Sequence, residues 1–230
     1  MISEVTNEDC MIMMARYPDK FFDLAIVDPP YGIDFGSFNR TNKDPSGNRF
    51  KANKYKNGKW DEKSPERPFF CELRRVSNFQ VVWGGNYFFE ILGNAKGLIC
   101  WYKKQPVSNF SDCEYAWTNI DKPARVFEFA YYGNLEGRTS ASEKIHPTQK
   151  PIPLYNWILN NYGNEGDKIL DTHLGSGSSR IAAYKLGFDF WGCELDKDYF
   201  DAAEKRFKEA INEPLFQTQP EPKQSKIFDL

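Results

Sequence analysis

The sequence predicts an α/β fold in which a mostly parallel sheet carries helices on both faces. Three observations carry this. Residues 168–194 read as strand, glycine turn, helix, strand, the unit that builds a parallel sheet. A short apolar run, Phe22–Val27, is stopped by Pro29-Pro30, as a buried strand must be where its end turns out of the sheet. Finally, 230 residues amount to one domain at roughly 100–200 residues per domain, long enough to bury a core.

The elements follow in order. Phe22–Val27 is the first strand. From Gly36 to about Pro68 the apolar periodicity is lost among Lys, Arg, Asn, Gly and Pro, which predicts an irregular loop. Further strands are predicted at 79–83, closed by Gly84-Gly85, and at 97–102, 114–118 and 126–129. Residues 134–150 read as loop, and 152–162 as a helix with proline in its first turn. Lys168–Asp171 is a strand, Gly175-Ser176-Gly177 a tight turn, and Ser178–Leu186 a helix closed by Gly187. A strand at 188–194 and an amphipathic helix at 198–211, with Asp198 as N-cap, complete the unit. Beyond Glu213 the chain is rich in Pro and Gln. The expected organisation is one domain over 1–212 and a flexible tail over 213–230.

Composition removes several function classes. No run approaches the ~20 apolar residues that cross a bilayer, and Met1-Ile2-Ser3-Glu4 lacks a signal-peptide pattern. Five scattered cysteines and two histidines give neither a disulfide framework nor a metal-ligand spacing, so a cytoplasmic, metal-free protein is expected. With 30 basic against 32 acidic residues the chain cannot coat nucleic acid by bulk charge, though a local basic stripe remains open. Aromatics, at 16%, supply a rich core or, for a few of them, stacking platforms for bases.

Asp171-Thr172-His173-Leu174-Gly175-Ser176-Gly177 follows a strand and opens a helix, the setting in which a glycine loop offers free N–H groups to a nucleotide-like ligand. Glu194, at the end of the next strand, stands near the ~20-residue spacing at which a carboxylate grips a ribose diol. The third glycine of a dinucleotide site is replaced by Arg180, too bulky for close helix–strand packing. The turn therefore suits a cofactor without a pyrophosphate, S-adenosylmethionine foremost, or else is a purely structural turn.

Asp28-Pro29-Pro30-Tyr31 ends the first strand. A given tetrapeptide occurs by chance in such a chain on the order of once in a thousand. Its residue types fit one chemistry. The exocyclic amine of adenine or cytosine is a poor nucleophile because its lone pair is delocalised into the ring. The Asp28 carboxylate and the Pro29 carbonyl can accept its two hydrogens and draw the nitrogen towards a tetrahedral shape. The proline pair fixes both acceptors beforehand, and Tyr31 offers a face to a base taken out of its stack.

Together these two motifs resemble the amino-methyltransferases that use S-adenosylmethionine and act on DNA at adenine N6 or cytosine N4. With the catalytic motif first and the cofactor loop last, the order resembles their β group. The resemblance implies a Rossmann-like methyltransferase fold with a circularly permuted sheet. More of the chain agrees: Asn7-Glu8-Asp9-Cys10 with Tyr17-Pro18-Asp19 looks like the group's opening segment, apart from Glu8 in place of glycine. Trp83-Gly84-Gly85-Asn86-Tyr87 and Trp101-Tyr102-Lys103-Lys104 look like its middle strands. His146-Pro147-Thr148-Gln149-Lys150-Pro151 matches the motif before the cofactor loop. By this resemblance Asp28, Pro29, Pro30 and Tyr31 are catalytic. The cofactor would be held by Asp9, Cys10, Asp28, Lys150, Asp171, His173, Gly175, Ser176, Gly177, Glu194 and Leu195. Asp9 would meet its adenine and Lys150 its methionine carboxylate. His173 stands where the family carries Phe, either stacking in its place or facing solvent. Asp before Pro-Pro-Tyr is the form more typical of adenine enzymes, with cytosine N4 as the alternative.

Two loops would serve nucleic-acid recognition, 36–68 and 133–145. The first holds Arg40, Arg49, Lys51, Lys54, Lys56 and Lys59 among aromatic residues, and the second holds Arg138. Such charges grip phosphates on either side of a flipped base, or simply keep a loop in water. Family members are often homodimers, which is the expectation here. The tail ends in Gln224-Ser225-Lys226-Ile227-Phe228. It resembles peptides that dock on bacterial DNA sliding clamps, with Gln224, Ile227 and Phe228 as the contacts; alternatively, the apolar pair folds back on the subunit. Two rival activities stay open, methylation of RNA or single strands, and a non-catalytic DNA-binding regulator.

Overall fold

A computed structural model describes residues 1–33, 63–104, 111–131, 145–146 and 148–212. Among the described residues, eight strands form one sheet: β1 (Ser3–Asn7), β2 (Phe22–Val27), β3 (Ser77–Trp83), β4 (Gly97–Tyr102), β5 (Cys113–Thr118), β6 (Arg125–Glu128), β7 (Lys168–Asp171) and β8 (Asp189–Glu194). Their order across the sheet is β1-β8-β7-β2-β3-β5-β4-β6. From β1 to β3 every pair is parallel; β5 alone runs antiparallel to its two neighbours.

The helices are α1 (Cys10–Met14), α2 (Arg67–Val76), α3 (Phe89–Leu92), α4 (Ile152–Tyr162), α5 (Ser178–Leu186) and α6 (Lys197–Asn212). Strand residues alternate between the two faces. Leu24, Ile26, Val81, Trp83, Ile169 and Phe190 join α4, α5 and α6 in one buried cluster. Ala25, Val27, Val82, Leu170, Trp191 and Cys193 join α1, α2 and α3 in another. A strand buried on both sides needs apolar residues on both, which is why β2 reads as an unbroken run after Asp23. Each such Leu, Ile or Phe contributes roughly 1.5–3 kcal/mol by leaving water.

The permutation is visible in the packing. Helix α6 follows β8 yet lies against both β8 and β1, the opening strand. Arg180 fastens this closure. Its guanidinium lies 3.7 Å from the centre of the Phe207 ring, pairs with Glu204, and donates to the Ser3 hydroxyl at 2.9 Å and carbonyl at 3.2 Å. The bulk that excluded a dinucleotide turn thus ties α5, α6 and β1 together.

Several sequence expectations need correction. The last helix begins at Lys197, and its cap is Asp196 rather than Asp198. Asp196 Oδ1 accepts from the Asp198 and Tyr199 amides at 2.8 and 3.1 Å. The loop expected to reach Pro68 gives way to α2 at Arg67, because proline is tolerated in a first turn. Strands and helices not assigned from the sequence are β1, α1, α2 and the short α3. No helix among the described residues is long and apolar enough to cross a membrane.

Candidate active site

Strands β2 and β7 are parallel neighbours, paired at Leu24–Ile169 and Ala25–Leu170. The chain leaves β2 for β3 on one side and β7 for β8 on the other. Where strand order reverses in this way, a crevice opens at the carboxyl ends. Asp28 follows β2 directly, Asp171 ends β7 and Glu194 ends β8, so the sheet brings all three carboxylates to one rim.

Both oxygens of Asp28 are engaged. Tyr31 Oη donates to Oδ1 at 2.6 Å, and Lys150 Nζ donates to Oδ2 at 2.5 Å. Lys150 is buried, 2% exposed along its side chain, and its ammonium also lies 3.2 Å from Glu114 Oε2 and 5.2 Å from the centre of the Trp83 ring. Glu114 pairs in turn with Lys103. Burial works to raise the Glu114 carboxyl, but the Lys150 and Lys103 charges overcome it and hold it down at about 2. Tyr31 stacks on Tyr87 with ring centres 4.9 Å apart and planes 15° from parallel. Burial and the neighbouring Asp28 and Glu114 charges keep its hydroxyl protonated, far above the ordinary tyrosine range.

Across the crevice, Gly175 and Gly177 adopt φ of +52° and +72°, where a Cβ is disfavoured. A Cβ on Gly175 would come into ordinary contact, at 3.9 Å, with the His146 ring and the His173 carbonyl, so the loop lies beside His146. Glu194 Oε2 accepts from the Gly175 amide at 2.8 Å and Oε1 from the Asp196 amide at 3.0 Å. Arg206 Nη1 donates to the Ser176 carbonyl at 2.7 Å and the Ser178 hydroxyl at 2.9 Å, bracing the loop from α6. The partners of the buried Asp171 carboxylate are a hydroxyl and an amide, Ser179 at 2.5 Å and His173 at 3.0 Å. Burial pushes it up to about 7.

His173 packs edge-on to Phe69 with ring centres 5.3 Å apart, and burial pushes it down to about 4. At neutral pH it is therefore an uncharged ring packed against Phe69. Asp9 caps α1 by accepting from the Met11 amide at 2.8 Å. The neighbouring Cys10 thiol is pushed up to about 11 by burial and by Asp9, which makes it inert. Asn7 Nδ2 donates to the Glu194 carbonyl at 2.8 Å and the Leu195 carbonyl at 3.1 Å, bringing the ends of β1 and β8 together. Leu195 is 71% exposed there, an apolar side chain on the rim.

The structure thus gathers Asp28, Tyr31 and Lys150 on one wall and Asp171, His173, Gly175, Ser176, Gly177 and Glu194 on the other, with Asp9, Cys10 and Leu195 beyond. Lys150, expected to face a cofactor carboxylate, has its ammonium held by Asp28 and Glu114. Arg40, Arg49, Lys51, Lys54, Lys56, Lys59 and Arg138 lie outside the described residues, as do Gln224, Ile227 and Phe228. Glu114, Lys103 and Trp83 were not among the residues expected here. A lone acid inside a strand, Glu114 in Cys113–Thr118, was the only signal.

The sequence profile of a DNA methylase family acting at N6 or N4 positions matches residues 41–205, most of the chain. The chain belongs to the S-adenosylmethionine-dependent DNA amino-methyltransferases. Among curated relatives, this methyltransferase is 34% identical to the type II methyltransferase M2.DpnII of Streptococcus pneumoniae, over 91% of the chain and 90% of that protein. It is 25% identical to the type II methyltransferase M.HinfI of Haemophilus influenzae, over 93% of the chain and 70% of that protein. Its fold is similar to that of M1.HpyAVI, solved with S-adenosylmethionine, at a TM-score of 0.56 and 20% identity. That match covers 90% of this chain and all of the other. The PvuII DNA methyltransferase, described as cytosine-N4-specific, shares the fold at a TM-score of 0.57 and 12% identity, with 92% of each chain covered.

Proposed function

We propose that this methyltransferase transfers a methyl group to the exocyclic N6 of an adenine swung out of DNA. One observation carries the reading. Asp28, held at both oxygens, stands at the end of β2, on the same rim as the Gly175 loop and the Glu194 carboxylate that binds it.

The residues of the second wall suit S-adenosylmethionine. A carboxylate accepts at about four positions, so Glu194 keeps lone pairs for a ribose diol after binding two amides. Asp171 is a buried carboxylate whose present partners are neutral, a fitting place for the ammonium of an amino acid. Leu195 and Asp9 offer an apolar surface and an acceptor to a purine. When bound, this cofactor supplies a methyl group on a positively charged sulfur.

The protein's own residues do the rest. Asp28 accepts one N–H of the target amine, and the Pro29 carbonyl accepts the other. Both then favour a nitrogen whose lone pair has left the ring. Lys150 and Tyr31 hold the Asp28 carboxylate in place beforehand, so no reorganisation is needed when the base arrives. The Tyr31 ring gives the flipped base a face, and the basic residues between Arg40 and Lys59 neutralise the phosphates beside it.

Adenine is favoured because Asp, not Ser, precedes Pro-Pro-Tyr. The fold shared with a cytosine-N4-specific enzyme supports the second reading. The test incubates purified protein and labelled cofactor with plasmid, single-stranded oligonucleotide and RNA, followed by nucleoside chromatography. Label in N6-methyldeoxyadenosine from plasmid is the expected result. Label in N4-methyldeoxycytidine, or in RNA alone, transfers the assignment to that rival. No label anywhere overturns the enzymatic reading in favour of a binding protein.

A further inference from the structure

Four charged groups alternate in sign from the strand ends into the site: Lys103, Glu114, Lys150 and Asp28. Contacts link each to the next. We propose that Glu114 is a positioning residue for methyl transfer, holding the Lys150 ammonium against the Asp28 carboxylate. The inference rests on the reading of Asp28 as the acceptor for the target amine.

The physical need for Glu114 comes from Lys150. Taking an ammonium out of water costs several kcal/mol unless partners replace the lost hydration. Asp28 alone is a poor partner for that purpose, because its oxygens also serve Tyr31 and the target amine. Glu114 faces the ammonium from β5, on another element, so Lys150 has a second anion that the substrate does not engage. Lys103 closes the far end, so the four charges sum to zero. The groups facing Lys150 are Asp28 and Tyr31 beyond β2, Glu114 on β5, the Trp83 ring on β3, and His146, which Lys150 helps to keep neutral. Burial works to lower the Lys150 ammonium, but the Asp28 and Glu114 charges overcome it and hold it above the ordinary lysine range.

The role is distinct from stabilising the fold because it predicts a change in pH dependence. With one of its two anions removed, Lys150 should release its proton at lower pH and leave Asp28 loosely held. The test measures kcat on methylatable DNA from pH 6 to 11 for wild type, E114Q, E114D, K150M and E114Q/K150M, with cofactor affinity measured by calorimetry. E114Q should lose about tenfold in kcat and move the alkaline limb down by about one pH unit, with cofactor Kd within twofold. E114D, which keeps the charge on a shorter arm, should move the limb less. The double variant should be no slower than K150M alone, since Glu114 acts through Lys150. Should E114Q fail to fold, the E114D limb decides: a downward shift supports the role and an unmoved limb overturns it. An E114Q enzyme with an unmoved limb, whether its kcat is intact or reduced, overturns the proposal. So does additive loss in the double variant. A wild type inactive on every DNA would instead strike the reading of Asp28, and Glu114 with it.

Discussion

The Tyr31 ring lies against the bare α-carbon of Gly84: a Cβ there would fall 2.1 Å from Tyr31 Cε1. Gly84 also holds φ of +66°, so two independent constraints demand glycine at the end of β3. Gly84→Ala should therefore displace Tyr31 and with it the Asp28 oxygen that Tyr31 binds. We expect kcat/KM to fall by about 100-fold, the scale of a misplacement near 1 Å. Calorimetry should show the cofactor affinity unchanged. Full activity in this variant would mean that Tyr31 need not sit where it does.

Asp28→Asn keeps the size of the acceptor and removes its charge. The loss of one preorganised, charged hydrogen-bond acceptor is worth about 10²–10³ in rate, which a single-turnover assay would resolve. Cofactor binding should survive, since Asp28 engages Tyr31 and Lys150 rather than the Gly175 loop.

Glu194→Gln should weaken cofactor binding by about 10- to 100-fold, the worth of a hydrogen bond to a charged group. DNA affinity, measured by fluorescence anisotropy, should stay as it is. An unchanged cofactor titration would take Glu194 out of the binding site.

His173 gives a prediction in pH. Burial lowers its folded pKa to about 4, below the ordinary value of 6.5, so between these values the unfolded chain binds more protons. The stability contributed by neutral His173 is fully present above pH 6.5 and is lost as pH falls towards 4. His173→Phe has nothing to protonate and should flatten that dependence by about 2 kcal/mol between pH 7 and 4.5. Thermal melts across this range, compared with wild type, check it.

Neutralising Lys51, Lys54 and Lys56 together tests the basic stretch. For every phosphate that these lysines neutralise in wild type, the plot of log K against log salt should flatten by about 0.9 in the triple variant. An unaltered slope would leave these lysines as solvated charges.

How far the sequence could be read depended on where each signal lay. The run Phe22–Val27 and the glycine turn carried their own punctuation, so β2, β7, α5 and β8 were legible from local residues. Strand β1 was not: Ser3–Asn7 has one apolar residue, and its partner β8 lies at the other end of the chain. Helix α2 carries its signal in Phe69, Phe70, Leu73 and Val76, but Pro68 masked the start. For the last helix, two aspartates stood two residues apart, and only the amides that reach Asp196 Oδ1 decided that Asp196 caps it. In the site, Asp28 and Glu194 were named by their neighbours in sequence. Glu114 was not, because what gives it meaning is an ammonium on a different element.

The pairing of β1 with β8 sets a timetable for synthesis. Phe190, the strand partner of Ser3, emerges 187 residues after it. At roughly 5–20 residues per second, a ribosome leaves that strand waiting about 10 to 40 s for the edge it will occupy. The contacts of Arg180 and α6 that lock it are also made from late-emerging residues. Assembly of the wall proposed for the cofactor, which needs β1, β8 and the Gly175 loop together, therefore follows the synthesis of β8, whereas Asp28 and its strand are made much earlier.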